Sequence, residues 1–395
     1  MSNLQMNMNV SLPAPAEKNQ ISPLSKKGNH PLVPSHIRKA PLWIRHLLQW
    51  FSVHQRTMPW RDDPSPYKVW ISEIMLQQTR VTAVIPYFER FLVQFPHVQS
   101  LAEAPLQKVL KAWEGLGYYS RARNLHHAAK VIHFEYKGRF PEKEEEWLTL
   151  PGIGPYTAAA VASIACGQTA AAIDGNVMRV WSRLRGIRED ISSPSWRNQA
   201  RADLIRYAKQ CDASLFNQAM MELGALVCLP RNPACSDCPI RNNCIARRKG
   251  LTDSIPFRKK MAPVPHRQEV VLLISSNKGV LMRQRPEKGL LAGFWEFPSL
   301  PLDKVHTSLP RTARILANSL DIPSTCKLKK CKRVEHAFTH FTQTLHVYRI
   351  ELQTTIALPS NDWRWCSTHD LETLPLSRSQ RIIASEYNAE NQSSS

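Results

Sequence analysis

Four cysteines close together constrain the fold of this chain more than any other feature of its sequence. Cys228, Cys235, Cys238 and Cys244 follow the spacing C-x6-C-x2-C-x5-C within seventeen residues. So tight a spacing leaves no room for an ordinary disulfide framework, whereas four thiolates can surround a zinc ion or an iron–sulfur cluster. A zinc ribbon usually contains two C-x-x-C pairs and this loop contains one, so the spacing favours iron–sulfur over zinc.

The charge of the chain points to a polyanionic partner. Its 395 residues include 52 Lys and Arg against 32 Asp and Glu, which gives a formal net charge of +20. Nucleic acid explains this excess best, because the 11 tryptophans and 9 tyrosines also suit stacking on bases. An anionic membrane surface and a role in solubility alone are the alternatives. No apolar run approaches the roughly 18 residues of a membrane-spanning helix, so no membrane partner is expected.

The use of cysteine predicts a reducing compartment. The chain has nine cysteines, an odd number, and its N-terminus lacks the charged and apolar regions of a secretory signal. The five cysteines outside the loop are scattered, and we expect them to be plain core or surface thiols. We therefore expect a cytoplasmic protein, in a bacterium and associated with the nucleoid.

Changes in composition and periodicity divide the chain into two domains. Residues 1–40 are polar and aperiodic, which predicts a disordered tail. Apolar residues at three- and four-residue spacing predict a helical domain over 41–250, and prolines among basic residues predict a linker over 251–267. A second, α+β domain is expected over 268–388, followed by a loose tail over 389–395. Its predicted elements are strands over 269–274, 279–284, 336–341 and 345–351, with a helix over 312–318.

A glycine-rich hairpin in the helical domain is a candidate for binding a DNA phosphate. The segment 150–157 reads LPGIGPYT, which predicts the end of one helix, a tight turn and the start of the next. Gly152 and Gly154 let the backbone approach a phosphate without a side-chain clash. A lone G-x-G pair is often just a tight turn, but Asp174 lies twenty residues after Gly154. The alternative reading of Asp174 is an N-cap, because Asp is common before a helix.

Glu73 is a candidate catalytic carboxyl group. It lies in the segment 66–79, PYKVWISEIMLQQT, among apolar residues of a predicted helix. Burial raises the pKa of a carboxyl group, so such a residue is protonated near neutral pH and can act as a general acid. The alternative is a surface glutamate on an amphipathic helix.

Together these motifs resemble the helix-hairpin-helix DNA glycosylases, in the branch that carries an iron–sulfur cluster. Within that branch, the segments 60–61, 72–79, 115–125 and 174–177 resemble those of MutY-type adenine glycosylases, and the likeness spans about 43–248. The resemblance implies a mainly α N-terminal domain with the helix-hairpin-helix glycosylase fold, a 4Fe–4S cluster on the four cysteines, and double-stranded DNA as the partner.

The resemblance also implies catalytic roles. Glu73 would protonate N7 of an extruded adenine, and Asp174 would stabilise the oxocarbenium-like sugar, in the logic of glycoside hydrolysis. Tyr156 and Asn176 would hold Asp174 and the attacking water. Bifunctional relatives of the endonuclease III type have a lysine at the position of Tyr156. Since Tyr156 cannot form a Schiff base with the sugar, we expect a monofunctional enzyme.

Further residues would bind the substrate if the resemblance holds. Arg61 and Gln218 would hydrogen-bond the adenine, in a pocket to which Trp60 belongs. Gln78 and Tyr118 would wedge into the duplex beside the opposing purine, although Tyr118 could instead be a packing residue at a helix end.

The second domain resembles the MutT-like, Nudix-fold domain of the same family. The matching segments are 285–298 and 336–341, and the likeness is looser than in the first domain. The glutamate run with which a Nudix hydrolase binds magnesium is missing after Pro298, so no pyrophosphatase activity is expected. Phe338, Thr339 and His340 would instead read the lesion guanine, where the family usually has Phe-Ser-His. The alternative is that the phenylalanines are simply core residues.

These resemblances imply an enzyme of base excision repair that removes adenine opposite 8-oxoguanine or guanine. We expect it to act as a monomer, with downstream repair enzymes as possible partners. A thymine-mismatch glycosylase of the same branch is a rival interpretation, but the position of Glu73 is not acidic there. A non-catalytic damage sensor is a second rival, and the presence of both Glu73 and Asp174 argues against it.

Overall fold

Helices make up the N-terminal domain. The computed structural model describes residues 40–259, 263–302, 308–338 and 340–392. A π-helical turn, Val131–Glu135, continues the seventh helix, and a 3-10 turn, Arg241–Asn243, lies in the cysteine loop. The α-helices of this domain are α1 (Leu42–His54), α2 (Pro59–Asp62), α3 (Pro66–Leu76), α4 (Val81–Gln94), α5 (Val98–Glu103), α6 (Leu106–Ala112), α7 (Ser120–Lys130), α8 (Glu144–Trp147), α9 (Pro155–Cys166), α10 (Gly175–Arg185), α11 (Pro194–Ala208), α12 (Ala213–Leu226) and α13 (Ile245–Arg248).

Two hydrophobic cores lie within this helical domain. The first is formed mainly by α3 to α9 and contains the buried Trp70 and Trp113. The second is formed by α1 and α10 to α12 and contains Trp43 and Trp181. Helix α9 packs against both α3 and α12 and so joins the two cores. Its alanine-rich sequence permits this close approach, because small side chains let neighbouring helices come together.

The hairpin between α8 and α9 has the geometry that its sequence predicts. Gly152 adopts a φ of 75°, which is the left-handed region that favours glycine. A Cβ at this position would lie 2.4 Å from Cβ of Asn124, so no other residue fits without displacement. Gly154 is the N-cap of α9 and has open space where a Cβ would point, which leaves the first turn of that helix accessible.

A mixed β-sheet forms the centre of the second domain. Its strands are β1 (His266–Ser276), β2 (Gly279–Gln284), β3 (Trp295–Glu296), β4 (Ser299–Pro301), β5 (Lys329–Ala337), β6 (Thr342–Glu351) and β7 (Trp363–Cys366). The main order is β3-β2-β1-β6-β5, with β4 beside β1 and β7 beside β2. Strands β1 and β6 are parallel, and the other pairs are antiparallel. The helices α14 (Leu309–Asn318), α15 (Thr368–Thr373) and α16 (Arg378–Gln392) complete the domain.

Some predicted boundaries of the second domain are wrong. The strand predicted over 336–341 ends at Ala337, because the chain then turns towards β6, with the Phe338 N–H donating to the Phe341 carbonyl at 2.8 Å. Strand β1 starts at His266, inside the predicted linker. Helix α16 continues to Gln392, where a loose tail was predicted from residue 389. The tail predicted over residues 1–40 lies outside the described residues, except for Ala40.

The predicted linker also begins later than expected. Ile255 is buried, and its carbonyl accepts a hydrogen bond of 2.8 Å from Nε of Arg183 in α10. The Phe257 carbonyl accepts one of 3.1 Å from the N–H of Ile191. The N-terminal domain therefore extends to about residue 257. None of the described helices is both long and apolar enough to cross a bilayer.

Candidate active site

A large cavity lies between the two cores of the helical domain. Its volume is about 1350 Å³, and it is lined by residues from α3, from the start of α9, from the start of α10 and from α12. Apart from the four cysteines, it brings together most of the site residues predicted for this domain, while Gly152 and Tyr118 are not part of its lining. The predicted residues in the lining are Trp60, Arg61, Glu73, Gln78, Gly154, Tyr156, Asp174, Asn176 and Gln218.

Glu73 is a buried carboxyl group on α3, facing this cavity. Only 5% of its surface is exposed, and the Tyr156 hydroxyl donates to its Oε2 at 2.6 Å. Burial raises the pKa of Glu73 to about 7; the Tyr156 hydrogen bond opposes this rise, and the charge of Asp174 adds to it. Near neutral pH the group is therefore present in both protonation states, which is what a general acid needs. The alternative of a surface glutamate is wrong.

Asp174 is the N-cap of α10, as the alternative reading of its sequence proposed. Its Oδ1 accepts a 2.7 Å hydrogen bond from the Val177 N–H, and its Oδ2 accepts one of 2.9 Å from Nδ2 of Asn176. Burial raises the pKa of Asp174, while these hydrogen bonds oppose the rise. The N-terminus of a helix also favours a negative charge. Capping and lining the cavity are compatible, because the same carboxylate does both.

Tyr156 differs from its predicted contacts. The prediction placed it against Asp174 together with Asn176, but its hydroxyl donates to Glu73 and lies 3.4 Å from Sδ of Met221. The first turn of α9 directs the side chain across the cavity towards α3, whereas Asn176 lies on α10 beside Asp174. Burial, followed by the charges of Glu73 and Asp174, raises the pKa of Tyr156 well above its usual value.

Arg61 and Gln218 contact each other at one end of the cavity. Nε of Arg61 donates to Oε1 of Gln218 at 3.1 Å, and its Nη2 donates to Glu222 at 3.1 Å. Glu222 also accepts from Nε and Nη2 of Arg56, at 2.8 and 3.0 Å. Burial alone would raise the pKa of Glu222, but the two arginines outweigh it and hold the pKa below its usual value.

Sequence reasoning missed Glu222 and Arg56. The signal for Glu222 was present, because it is the one acidic residue of the largely apolar helix α12, as Glu73 is of α3. Trp60, by contrast, was predicted to bind substrate and is largely a core residue, with its ring centroid 5.2 Å from that of Phe88.

Gln78 and Tyr118 share an unusual backbone conformation. Their φ angles are 59° and 49°, in the left-handed region that non-glycine residues rarely adopt, and both residues are exposed. Such strain persists only where the surroundings enforce it. This backbone conformation presents the side chains of Gln78 and Tyr118 to solvent, at neighbouring turns of the helical domain.

Arg121 enforces both turns, and sequence reasoning assigned it no role. One of its nitrogens, Nη1, donates to the carbonyls of Ile74, Met75 and Gln77, at 2.7 to 2.9 Å. The other, Nη2, donates to the carbonyls of Leu116 and Gly117, at 3.2 and 3.1 Å. A single buried guanidinium therefore joins the turn that ends in Gln78 to the turn that ends in Tyr118.

The four cysteines of the loop lie near enough for their charges to interact. Burial and the charges of the other three raise the pKa of Cys238 to about 12, and burial and the charges of Cys228 and Cys235 raise the pKa of Cys244. Across the described residues, no three His, Cys, Asp and Glu side chains meet the geometry for one shared metal ion. In an iron–sulfur cluster the four thiolates bind different iron atoms and need not converge on one point.

Arg183 lies against this loop and was not identified from the sequence. It is only 2% exposed, and its guanidinium donates to Sγ of Cys228 at 3.4 Å and to the carbonyls of Leu229, Pro230 and Ile255. None of these acceptors is a carboxylate, so Cys228, when held as a thiolate by bound iron, would be the group among them that balances the buried charge. The donor set suits a site for thiolate-bound iron.

Two family models match the chain. Residues 71–206 match the HhH-GPD superfamily of base excision DNA repair proteins, and residues 269–386 match a NUDIX domain. An adenine DNA glycosylase of Rattus norvegicus is 33% identical, over 88% of this chain and 78% of that protein. The adenine DNA glycosylase of Homo sapiens is 35% identical, over 85% of this chain and 72% of that protein. That of Buchnera aphidicola (subspecies Schizaphis graminum) is 33% identical, over 77% of this chain and 85% of that protein.

The chain belongs to the adenine DNA glycosylase family. The predicted fold class is thereby confirmed: a helical glycosylase domain is followed by a Nudix-like domain with a sheet. The protein is a DNA glycosylase of base excision repair, and DNA is its partner.

The second domain of this glycosylase places two of the three predicted lesion-reading residues in a turn between β5 and β6. Phe338 is half-buried, with its ring stacked 4.5 Å from that of Phe341 and packed edge-on against His336. His340 is exposed. Thr339 lies outside the described residues. Phe341 is a core residue, and Arg267 lies 4.2 Å from its ring centroid.

Proposed function

We propose that this glycosylase is monofunctional and releases adenine from duplexes in which it lies opposite 8-oxoguanine or guanine. One observation supports the chemistry above all others: Glu73 and Asp174 line one cavity from different helices. Pairs of carboxyl groups in different environments are what the cleavage of a glycosidic bond requires, because one must donate a proton and the other must remain charged.

The substrate adenosine has to leave the duplex before it can reach these groups. Extrusion of a nucleotide costs a few kcal/mol, and residues that fill the gap offset part of that cost. Gln78 and Tyr118 suit this task, since the backbone directs both outward. A cavity of about 1350 Å³ is large enough for a nucleoside.

Release of the base then follows from the two carboxyl groups. Protonated Glu73 donates its proton to N7 of adenine, so that the electron pair of the C1′–N9 bond leaves with the base. The carboxylate of Asp174, held by Asn176 and the Val177 N–H, stabilises the positive charge that develops on the sugar. Water adds at C1′ and gives up a proton, and Glu73 accepts it as its carboxylate.

Recognition of adenine is assigned to Arg61 and Gln218. Glu222 forms ion pairs with both Arg61 and Arg56, and Nη1 of Arg61 also donates to the Arg56 carbonyl, so the Arg61 guanidinium does not need to be ordered when the base arrives. Gln218 is held at its other end by Ser214, whose Oγ accepts from Nε2 at 3.1 Å. These fixed donors and acceptors favour one base over the others, because a mismatched base leaves them unpaired.

The absence of an amine at Tyr156 supports a monofunctional enzyme. No lysine lines the cavity among the described residues, so no side chain there can form a Schiff base with C1′. Strand cleavage should therefore require alkali after base release. Cleavage without alkali at the rate of base loss would contradict this part of the proposal.

We also assign a 4Fe–4S cluster to Cys228, Cys235, Cys238 and Cys244. Such a cluster, when bound, would hold the basic loop in one conformation. Arg183 would stabilise the thiolate of Cys228, and the exposed Arg231, Arg241, Arg247 and Arg248 would face the DNA backbone.

Phe338, Thr339 and His340 are proposed to read the lesion guanine. The variant His340→Ala should reduce the ratio of the excision rate opposite 8-oxoguanine to that opposite guanine. His369→Ala is the matched control, since His369 is an exposed histidine at another place in the same domain. An unchanged ratio for His340→Ala would contradict the assignment.

The decisive experiment is a single-turnover assay with alkali treatment on duplexes that differ only in the base opposite adenine: 8-oxoguanine, guanine, cytosine or thymine. A duplex with thymine opposite guanine tests the rival activity. We expect abasic sites in the first two duplexes only, and a loss of about 10²-fold or more in Glu73→Gln, which should still bind the mispair. Release of thymine, or excision by Glu73→Gln at the wild-type rate, would refute the proposal.

A further inference from the structure

The second domain contributes a residue to the core of the helical domain. Phe294 is fully buried among side chains of the first hydrophobic core. Its ring lies against that of Tyr119, with 4.2 Å between the centroids and an interplanar angle of 54°. Tyr119 directly follows Tyr118 and ends the loop 114–119, which is here named the wedge loop.

Polar contacts support the same interface. Nη1 of Arg123 donates to the Ala292 carbonyl at 2.9 Å, and Nε2 of Gln107 donates to the Gly293 carbonyl at 3.0 Å. At the other end of the wedge loop, Glu114 accepts from Nε and Nη2 of Arg381, at 2.5 and 2.9 Å. The second domain therefore holds the wedge loop at its first residue and at its last.

The segment that delivers Phe294 is a folded turn, residues 285–294, here named the support turn. Its ends are joined by a 2.8 Å hydrogen bond from the Arg285 N–H to the Phe294 carbonyl. Its other side borders a cavity of about 170 Å³ that is also lined by Phe338 and Phe341. The support turn thus lies between the wedge loop and the turn that contains Phe338.

We propose that the support turn positions the wedge loop, with Phe294 as the positioning residue, so that Tyr118 and the turn at Phe338 act on the duplex as one rigid unit. This inference rests on the proposed function, in which Tyr118 wedges beside the extruded adenosine. It assigns to the second domain a part in extruding the base, in addition to contact with the opposing purine.

The wedge loop needs such support because Tyr118 has a φ of 49°, in the left-handed region that non-glycine residues rarely adopt. Gly115 and Gly117, with φ of 100° and 73°, take such angles without strain, so they permit the turn but do little to hold it. A strained conformation is kept only where contacts determine it from several sides. Arg121 supplies contacts from within the helical domain, and Phe294 and Arg381 supply them from the second domain.

Two measurements on the full chain test this inference. The first is hydrogen exchange of residues 114–119 in the absence of DNA. The second is the fluorescence of 2-aminopurine placed opposite 8-oxoguanine in a duplex, which rises when that base leaves the stack. The variants are Phe294→Ala, the conservative Phe294→Leu and, as a matched control, Phe297→Ala, which removes an equally buried ring from the core of the second domain only.

We expect Phe294→Ala to speed exchange in the wedge loop and to lower the extruded fraction by about tenfold or more, because a misplacement of about 1 Å in a positioning group can have effects of up to about a hundredfold. Phe294→Leu should restore most of both signals, and Phe297→Ala should leave both unchanged. If Phe294→Ala fails to fold, Glu114→Gln, which weakens the other contact without making a cavity, should still speed the exchange.

Wild-type exchange in the wedge loop of both Phe294→Ala and Glu114→Gln, or equal effects of Phe294→Ala and Phe297→Ala, would overturn the inference. Its failure is distinct from failure of the proposed function. If the wild-type protein excised no adenine opposite 8-oxoguanine while exchange changed as expected, the activity would be wrong and the support of the loop would remain.

Discussion

Removal of the Tyr156 hydroxyl should move the pH profile of base release. The hydroxyl donates to Glu73 at 2.6 Å, and this hydrogen bond opposes the rise in the pKa of Glu73 that burial causes. The proposed acid is active when protonated, so the rate should fall as pH rises through about 7. In Tyr156→Phe the carboxylate loses its donor, and this alkaline limb should move to higher pH.

The size of the shift follows from the strength of the hydrogen bond. A hydrogen bond to a charged group contributes about 1.5–3 kcal/mol, and one pH unit corresponds to about 1.4 kcal/mol. The limb should therefore move up by about one to two pH units. The acid limb, where Asp174 becomes protonated, should move less, because Asn176 and the Val177 N–H hold that carboxylate.

Single-turnover rates between pH 5 and 9 on an adenine–8-oxoguanine duplex would measure both limbs. The position of the limb, rather than the maximal rate, is the test, since the lost contact also lowers the rate itself. Tyr136→Phe is the control, because the Tyr136 hydroxyl forms its hydrogen bond with Thr149 at the surface. An alkaline limb of Tyr156→Phe at the wild-type pH, or below it, would refute the assignment of Glu73 as the acid.

Three further predictions concern stability and the cluster. Glu73→Gln should raise the free energy of unfolding by up to about 3 kcal/mol at pH 8 and leave it unchanged at pH 4. The reason is that a carboxyl group whose pKa is raised from 4.5 to about 7 costs stability only at a pH where it ionises. Denaturant titrations at both pH values would measure this difference, and equal effects at the two would contradict it. Gly152→Ala should lower the free energy of unfolding by about 1–3 kcal/mol, because the φ of Gly152 is 75° and the added Cβ would clash with Asn124. Gly154→Ala should leave it unchanged, because a Cβ there meets no neighbour. Cys235→Ser should lose iron in an iron-to-protein assay and Cys211→Ser should keep it; full iron content in the first would exclude Cys235 as a ligand.

Much of the architecture followed from local signals in the sequence. Helical periodicity and the hairpin glycines report on interactions within a few residues, which is why the helices and the turn at Gly152 were predictable. The errors lie where tertiary contacts decide. Ile255 reads as part of a proline-containing linker, but the backbone of that segment is a hydrogen-bond acceptor for Arg183. Helix α16 likewise continues to Gln392, although the polar sequence from residue 389 predicted a loose tail.

The residue types that line the cavity were predictable from the sequence, and their contacts less so. A single acidic residue in an apolar helix identified Glu73, and the same signal would have identified Glu222. The partner of Tyr156 could not be predicted, because it depends on how α9 crosses α3. The roles of Arg121 and Arg183 were also hidden, since an arginine that binds backbone carbonyls has the same local sequence as one at the surface.

The two carboxyl groups occupy different positions relative to their helices, and this difference supports the proposal that one is a neutral acid and the other a charged stabiliser of the sugar. Glu73 lies within α3, where backbone N–H groups are used by the helix itself, so burial dominates and a single hydroxyl is its donor. Asp174 is the N-cap of α10, where the N–H groups of the first turn need an acceptor and the helix favours negative charge. A carboxyl group moved from the interior of α3 to the start of a helix would be stabilised in its charged form. It could then no longer serve as the proton donor. The division of labour proposed for the site therefore depends on helix positions as much as on the two side chains.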